Sequence, residues 1–233
     1  MPNSLIEIFN YRVVYQYLPD FATGIGTTLW ISAVVVIFGL IIGSIVAILG
    51  VSNIPFLRWP ISFYIQSIRS TPLLVQIYIV YFALPPLPLL GRRLTEVEGG
   101  ILALSINAGA YLAEIIRAGI ESIDQGQIEA AVASGLNSVQ RMRYIILPQA
   151  IAKVIPPILG HAAIIMKDSS LLCLITVFEL MSAGLRLMND FIMPTEGFLT
   201  VAAGYLIIYA MMLVFSNLVQ KKLRGEGQIA VKV

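Results

Sequence analysis

Apolar residues fill five long runs of this chain, and short polar stretches separate the runs. Windows of about 19 residues place them at 27–51, 61–84, 99–118, 151–177 and 198–219. Each run has roughly the 20 residues that a helix needs to cross the hydrocarbon core of a bilayer. The pattern predicts an all-α integral membrane protein with about five transmembrane helices, in which residues 23–222 form the membrane domain.

The two ends of the chain are predicted to lie outside this membrane domain. Residues 1–22 carry charged groups and lack the basic start, short apolar core and cleavage site of a signal peptide. We expect instead an amphipathic lead-in outside the cytoplasm, with the rings of Phe9, Tyr11, Tyr15 and Tyr17 at the membrane interface. Residues 223–233 are expected to form a cytoplasmic tail.

Lysine and arginine positions predict the orientation of the spans. With five spans and the N-terminus outside, eight basic residues fall in the cytoplasm and four outside. Because positive charge concentrates on the cytoplasmic side, this favours an N-out, C-in orientation. The cytoplasmic residues are Arg58, Arg117, Arg141, Arg143, Lys221, Lys222, Arg224 and Lys232, and the outside residues are Arg12, Arg92, Arg93 and Arg186.

The composition agrees with a membrane protein. Hydrophobic residues make up 58% of the chain and charged residues 12%, with a mean hydropathy of +0.87, which excludes an ordinary soluble domain. The net charge of +2 gives no argument for a nucleic-acid partner. The single cysteine, Cys173, cannot form an internal disulfide and is predicted to be a small buried hydrophobe.

A polar stretch between the third and fourth runs, residues 125–148, follows a fixed pattern. Glu-Ala-Ala at 129–131 is followed by Gly135 and, after nine residues, by Ile-Ile-Leu-Pro at 145–148. The Ala-rich part favours a helix, Gly135 suits a left-handed terminating residue, and Asn137 with Gln140 fits an N-cap pair. We expect Leu147 and Pro148 to end the second helix and start the next span. The prediction is a helix-turn-helix at a membrane surface, with an ordinary loop as the alternative.

This pattern resembles the EAA signature of ATP-binding-cassette importer permeases, by which a membrane subunit contacts its cytoplasmic ATPase. We refer to residues 125–148 as the coupling segment. The resemblance implies that an ATPase is contacted by Glu129, Ala130, Ala131, Gly135, Leu147 and Pro148.

Polar groups interrupt three of the apolar runs. In the second run, Pro72 removes a backbone donor and is expected to kink the helix, with Thr71 beside it and Gln76 one turn later. These groups either shape helix packing or line a transport pathway.

The third run places Asn107 near mid-span, where a free amide would be unsatisfied in lipid. Ser105, Gly109 and Ala113 form a stripe of small residues that predicts close approach of another helix. Glu114 and Arg117, three residues apart, are predicted to form a structural ion pair near the cytoplasmic end.

The fourth run contains His161 and then a polar cluster from Lys167 to Ser170. Lys167 and Asp168 cannot both point into lipid, and a local helix break would expose them to a polar cavity. Such a cavity matches an amino acid, with Lys167 near the carboxylate and Asp168 near the ammonium. The alternatives are an internal Lys-Asp pair that only fixes packing and a neutral His161 bonded to a neighbouring helix.

Three of these stretches resemble motifs of the polar amino acid branch of the same permeases: residues 69–76, with Ser70 where glycine is usual, 107–114 and 167–171. The resemblance implies the type I importer fold, a second permease chain, two cytoplasmic ATPases and an extracytoplasmic binding protein that delivers an L-amino acid. Relatives that carry basic amino acids often have a carboxylate where this chain has His161, which favours neutral or acidic amino acids here. The predicted substrate-pathway residues are Thr71, Gln76, Asn107, His161, Lys167, Asp168, Ser169 and Ser170.

The sequence has no Gly-x-x-x-x-Gly-Lys-Ser/Thr phosphate loop, so we expect no ATPase activity and no cofactor of its own. ATP and magnesium would be bound by the cytoplasmic partner ATPase. The resemblance implies that the chain itself is a multi-pass protein of the bacterial inner membrane. With one histidine, a His-rich metal site is excluded, and no metal is predicted. The alternative function is a self-sufficient secondary amino acid carrier or channel, which would need no coupling segment.

Overall fold

A computed structural model of the chain describes residues 9–51, 55–85 and 92–230, and the regular structure in these ranges is helical throughout. The α-helices are α1 (Tyr11–Gln16), α2 (Leu18–Gly50), α3 (Pro55–Arg69), α4 (Leu73–Tyr78), α5 (Glu96–Glu121), α6 (Gln125–Ala133), α7 (Ser138–Arg141), α8 (Leu147–Asp168), α9 (Leu180–Phe191) and α10 (Pro194–Ala230). Short π-helical stretches follow α4 (Ile79–Ala83) and α7 (Met142–Ile146), and a 3₁₀-helix (Ser169–Ile175) follows α8.

The described helices confirm the prediction of an all-α membrane protein. Four helical stretches are long and apolar enough to cross a bilayer: Leu18–Gly50, Glu96–Glu121, Ser138–Ile175 and Pro194–Lys222. The second predicted run is divided between the end of α3 and a shorter apolar helix, Leu73–Ala83. The number of crossings and the N-out orientation therefore stay predictions.

The second run was expected to kink at Pro72. The structure has a complete break there, so the position was predicted correctly but the kink was not. Helix α3 ends at Arg69, and α4 begins only at Leu73, after Pro72 in an extended conformation with ψ 135°. The residue before a proline is disfavoured in the helical region, which explains a full break. The Thr71 hydroxyl donates to the Ser67 carbonyl at 2.9 Å, so this carbonyl at the end of α3 is satisfied.

Helix α9 was not predicted, because it is a 12-residue amphipathic helix between two more apolar runs. Its buried residues, Leu180, Ala183, Gly184 and Leu187, recur at helical spacing. The ends of the membrane helices also extend further than expected, since α2 begins at Leu18 and α10 reaches Ala230. Residues 1–8 and 231–233 of the predicted lead-in and tail lie outside the described residues.

The chain divides into two compact units, each assembled from three stretches of sequence. The first unit comprises Met1–Val36, Pro72–Leu104 and Ala163–Met212. Its core is built from α1, α2, α9 and α10, where the buried side chains are Val13, Phe21, Leu180, Ala183, Leu187, Val201 and Ile208. Helices α9 and α10 approach closely, because a Cβ on Gly197 would lie 2.7 Å from the Gly184 carbonyl oxygen.

Helix α1, part of the predicted lead-in, is anchored within the first unit. The Tyr17 hydroxyl donates to the Asp190 carboxylate at 2.6 Å, and this hydrogen bond raises the pKa of Tyr17. The Asn10 amide donates to Glu196 at 3.0 Å. The aromatic rings of Tyr11 and Tyr15 remain exposed.

The second unit comprises Ile37–Thr71, Ser105–Ala162 and Leu213–Val233. The predicted small-residue stripe on α5 is confirmed as a close helix contact. A Cβ on Gly109 would lie 2.5 Å from Ile42 Cγ2 on α2, and Ala113 packs with Ala47 and Ile65 in a buried cluster. Small residues on α5 thus let α2 and α3 pack closely against it.

Candidate coupling segment and substrate-pathway residues

The coupling segment folds into the predicted helix-turn-helix through local hydrogen bonds. Helix α6 is capped at its start by Asp124, whose carboxylate accepts from the Gly126 amide at 2.9 Å. The helix ends at Ala133, and Gly135, two residues later, has the expected left-handed conformation with φ 77°. The Gly135 amide donates to the Val132 carbonyl and the Leu136 amide to the Ala131 carbonyl, which is the Schellman arrangement for a helix C-terminus.

Helix α7 begins with the predicted N-cap pair. The Gln140 amide donates to Asn137 Oδ1 at 3.0 Å, and the Asn137 amide donates to Gln140 Oε1 at 2.9 Å. These reciprocal bonds form a capping box, so the prediction for Asn137 and Gln140 is confirmed.

The expected stop at Leu147 and Pro148 is wrong. The helical backbone continues from α7 through Met142–Ile146 into α8. The Leu147 amide reaches the Met142 carbonyl five residues earlier, so the hydrogen-bond register shifts just before Pro148. Pro148 then lies in the first turn of α8, where its missing donor is tolerated.

Two side chains that the sequence analysis did not single out tie α8 to the coupling segment and to the residue that follows α5. Lys153 Nζ donates to the Ser122 carbonyl at 2.7 Å, just beyond the end of α5. Gln149 Nε2 donates to Gln127 Oε1 at 2.9 Å and to the Ile145 carbonyl. An amide and an amine one helical turn apart on α8 were the available sequence signal for this clamp.

The outer surface of the coupling segment has the features of a docking site. An open cavity of about 530 Å³ is lined by Ala130, Ala131, Ser134, Leu136 and Ile145 together with residues at the start of α6. Ala131 is buried, whereas Glu129, Ala130, Gly135, Leu147 and Pro148 are exposed. Large apolar side chains are exposed beside them: Val132, Val139, Tyr144 and Leu147. Exposed apolar groups around a concave surface are typical of a protein interface.

Three predicted pathway residues belong to the second unit. His161 is 7% exposed, and its ring stacks on Tyr111 with centroids 5.3 Å apart. The guanidinium of Arg69 lies 5.5 Å from the centroid of the same Tyr111 ring. His161 Nε2 is buried and has no hydrogen-bond partner among the described residues. Asn107 is also buried, and Thr71 donates to the Ser67 carbonyl.

The other predicted pathway residues belong to the first unit, where Gln76 is buried. Helix α8 ends at Asp168 and continues directly as the 3₁₀-helix Ser169–Ile175, so the helix changes type at the polar cluster but is not broken as predicted. The exposed Lys167 has its Nζ 5.8 Å from the ring centroid of Tyr209. Ser169 is buried and donates to the Met166 carbonyl, while Asp168 and Ser170 are half-buried.

Within the described residues, no ion pair joins Lys167 to Asp168. Adjacent residues on a helix point in different directions, which explains why the two charges do not meet. The predicted alternative of an internal Lys-Asp pair is therefore not the arrangement found. Whether the two groups contact a substrate stays a prediction.

Glu179 is a buried polar group that the sequence analysis missed. Its carboxylate is inaccessible to solvent and accepts hydrogen bonds from the amides of Met181 and Ser182 at 2.8 Å each. It also accepts from the Ser182 hydroxyl at 3.2 Å and the Tyr205 hydroxyl at 2.8 Å. An ionisable residue inside an apolar stretch was the available signal. Glu179 caps α9 and joins it to α10.

The predicted Glu114–Arg117 ion pair is confirmed and is part of a larger group. Arg117 donates to Glu114 at 3.0 and 3.1 Å and to Glu121 at 2.7 Å. Arg69 also donates to Glu114, at 3.2 Å. The cluster joins the C-terminal end of α3 to α5.

Comparison with known proteins identifies the family. Residues 39–225 match the family described as the binding-protein-dependent transport system inner membrane component. The probable amino-acid ABC transporter permease protein YckA of Bacillus subtilis is 38% identical over 92% of this chain and 94% of its own. The arginine transport system permease protein ArtQ of the same organism is 34% identical over 93% of this chain and 98% of its own.

A solved structure supports the same assignment. The crystal structure of an amino acid ABC transporter with histidines covers 95% of this chain and 100% of its own, with 30% identity and a TM-score of 0.84. The MetNI methionine ABC transporter, at 18% identity and a TM-score of 0.75, shares the fold. The type I importer permease fold is therefore confirmed. The chain is a multi-pass permease subunit and belongs to the family of inner membrane components of binding-protein-dependent transport systems.

Proposed function

We propose that this chain forms the translocation pathway of an ATP-driven importer of L-amino acids. The observation that carries the proposal is the coupling segment, a capped and clamped helix-turn-helix that exposes small and apolar residues. The substrate class is supported by the names of two relatives, the putative glutamine transport system permease protein GlnP of Rickettsia felis and the arginine transport system permease protein ArtQ. A self-sufficient carrier would have no use for such a surface.

The coupling segment is proposed to dock onto a separate ATPase that binds ATP and magnesium and performs the hydrolysis. Ala130 and Ala131 line the cavity that a partner side chain would enter, while Glu129, Gly135, Leu147 and Pro148 would contact the partner around it. Because Gln149 bonds to Gln127 within the segment and Lys153 bonds to Ser122, three residues before it, a displacement of the segment would be passed to α8. Helix α8 carries His161, Lys167 and Asp168, so it is the element that would link ATP hydrolysis to transport.

The complete transporter is proposed to contain two ATPases, a second permease chain and an extracytoplasmic amino acid-binding protein. Two permease chains related by a two-fold axis would enclose the pathway between them, which supplies the symmetry that a single chain lacks. In the cytoplasmic membrane of a bacterium, the predicted N-out orientation would place the coupling segment on the ATPase side.

Within this pathway, Lys167 is proposed to meet the substrate carboxylate and Asp168 its ammonium group. The absence of an ion pair between them supports this role, because each charge is left for another partner. Thr71, Gln76, Asn107, Ser169 and Ser170 would supply neutral hydrogen-bonding groups along the pathway. His161 offers no fixed negative charge, which favours neutral or acidic amino acids.

The experiment that tests docking replaces Gly135. A Cβ at this position meets nothing within 4 Å in the chain itself, so a clash would arise only with a partner. Gly135→Asp should insert normally in the membrane but abolish ATP-driven uptake, since it buries a charge in the docked corner. Gly135→Asn is the matched control, because asparagine has the same size and also tolerates the left-handed conformation.

The measurement is amino acid uptake by liposomes that contain the permease, its ATPase and its binding protein, with copurification of the ATPase measured in parallel. We expect Gly135→Asn to retain more uptake than Gly135→Asp. Normal uptake by Gly135→Asp would refute the docking proposal.

A further inference from the structure

A polar cavity of about 240 Å³ in the second unit is used neither by the coupling segment nor by the predicted pathway. It lies between α2, α3 and α5, and its polar lining consists of Arg58, Ser62, Gln66, Glu114, Arg117 and Glu121. Gly50 and Glu121 both line it, and each is the last residue of a stretch able to span a membrane. The cavity therefore lies at the level of the membrane surface.

The charges in and beside this cavity leave one arginine unpaired. The lining itself carries two arginines, Arg58 and Arg117, and two glutamates, Glu114 and Glu121. Arg117 pairs with both glutamates, and Arg69, which lies outside the lining, also pairs with Glu114, so the whole group holds three arginines and two glutamates. Arg58 makes no ion pair with any part of the chain that the structure describes. One positive charge is thus available to a ligand.

The other face of α3 has the character of a membrane interface. Phe56, Trp59 and Phe63 are exposed, and the rings of Trp59 and Phe63 stack with centroids 6.0 Å apart. Tryptophan is enriched where hydrocarbon meets the lipid headgroups. On a helix, this aromatic stripe and the cavity-facing residues Arg58 and Ser62 lie on different sides. Helix α3 therefore presents a cationic polar face to the cavity and an aromatic face to lipid.

We propose that this cavity binds the headgroup of an anionic phospholipid. Arg58 pairs with the phosphodiester, and Ser62 and Gln66 bond to its oxygens or to headgroup hydroxyls. A net charge of minus one on the headgroup matches the single uncompensated arginine. The volume lies below the roughly 300 to 1,000 Å³ of typical small-molecule pockets, which suits a headgroup whose acyl chains remain in the bilayer. The bound lipid would join α2, α3 and α5 at the end of α5 that leads into the coupling segment.

The test uses the purified full chain, delipidated in detergent, with bound lipid counted by native mass spectrometry. The probes are dioleoylphosphatidylglycerol, dioleoylglycerol, which has the same chains without phosphate, and glycerol 3-phosphate, which has the headgroup without chains. We expect one saturable phosphatidylglycerol, little retention of dioleoylglycerol and no effective competition by glycerol 3-phosphate.

Arg58→Gln should weaken phosphatidylglycerol binding about tenfold, because it removes a charge-assisted hydrogen bond to phosphate. Ser62→Phe fills the cavity while keeping Arg58, so it should abolish saturable binding. Arg93→Gln, at an exposed arginine outside the cavity, is the matched control and should bind as the unaltered chain does.

Unchanged binding by both Arg58→Gln and Ser62→Phe would overturn the proposal. Equal retention of dioleoylglycerol would show that acyl chains alone determine binding, and strong competition by glycerol 3-phosphate would indicate a free-anion site. Dissociation of a permease dimer by Arg58→Gln without loss of lipid would assign this face to a second copy of the chain. Each of these results also contradicts the lipid site.

Discussion

Two helix-to-helix corners flank α8 in the chain. Both have the same pattern of backbone hydrogen bonds, but their residue types differ. The first corner joins α6 to α7 on the exposed coupling segment. The second joins the 3₁₀-helix Ser169–Ile175 to α9 in the first unit, and we call it the buried corner because Ile175, Val177 and Glu179 are buried, although Thr176 itself is exposed. At the second corner, the Thr176 amide donates to the Cys173 carbonyl and the Val177 amide to the Leu172 carbonyl. This is the pattern seen at Gly135, and both Gly135 and Thr176 are left-handed, with φ 77° and 67°.

The difference lies in how each corner is stabilised. Gly135 adopts its conformation without strain, and Asn137 caps the next helix as short polar residues ordinarily do. Thr176 is β-branched and strained in the same conformation, and a buried glutamate, Glu179, caps α9. The exposed corner is therefore stable through local residue preferences, whereas the buried corner depends on tertiary contacts such as the Tyr205–Glu179 hydrogen bond.

The largest expected effect tests this dependence at the buried corner. Glu179→Ala should lower the free energy of unfolding by about 3 kcal/mol, because it removes the α9 cap and leaves buried donors unsatisfied. Tyr205→Phe, which removes one of the four hydrogen bonds, should cost about 1 kcal/mol. Unfolding of the purified chain in mixed micelles measures both. A loss below 1 kcal/mol for Glu179→Ala would mean that the cap does not hold this corner.

The next effect separates transport from stability. Asp168 ends α8 just before the buried corner, yet its side chain makes no ion pair with any described residue. Asp168→Asn should therefore leave unfolding unchanged but slow uptake about tenfold, equivalent to about 1.4 kcal/mol, by weakening the contact with the substrate ammonium. Asp190→Asn, which alters an aspartate bonded to Tyr17 outside the proposed pathway, is the control.

Assembly with the ATPase and acceptance of the loaded binding protein are checked before uptake is compared. Equal uptake by the Asp168→Asn and Asp190→Asn variants would remove Asp168 from the pathway. A parallel loss of unfolding free energy would assign it a structural role instead.

The sequence made the exposed corner predictable because its signals are local. The Gly135 terminator and the Asn137–Gln140 capping box were predicted from residue type and spacing, and both are present. The buried corner carries neither signal, since threonine is unusual at a left-handed position and glutamate is less usual than shorter side chains as a cap. Glu179 was missed for that reason, and α9 because it is a short amphipathic helix between more apolar runs. The adjacent charges at 167–168 predicted a helix break, where the structure has a change from α-helix to 3₁₀-helix.

Matched substitutions at the left-handed residue of each corner should shift stability in opposite directions. Gly135→Ala introduces a Cβ into the left-handed conformation and should cost about 1 kcal/mol. Thr176→Gly relieves the same strain and should gain up to about 1 kcal/mol, reduced by the greater freedom of glycine in the unfolded chain. Thermal unfolding of both variants in one detergent gives the comparison. Destabilisation by Thr176→Gly would show that contacts of the threonine side chain outweigh its backbone strain.

The smallest expected effect concerns selectivity at His161, on the helix that connects the two corners. If His161 lines the proposed pathway, His161→Glu supplies the anion that a cationic side chain lacks here. The gain is limited, because the substitution also removes the ring that stacks on Tyr111 and places a carboxylate in a buried position. We expect uptake of arginine relative to glutamine to rise about threefold, equivalent to about 0.6 kcal/mol.

His161→Gln is the matched control, since it loses the same ring contact without adding charge. Both variants are assayed in liposomes with the ATPase and with the same binding protein, so that a change in selectivity arises in the membrane subunit. Identical selectivity of the two variants would mean that the charge at this position is not sensed by the substrate, and that the external binding protein alone selects the amino acid.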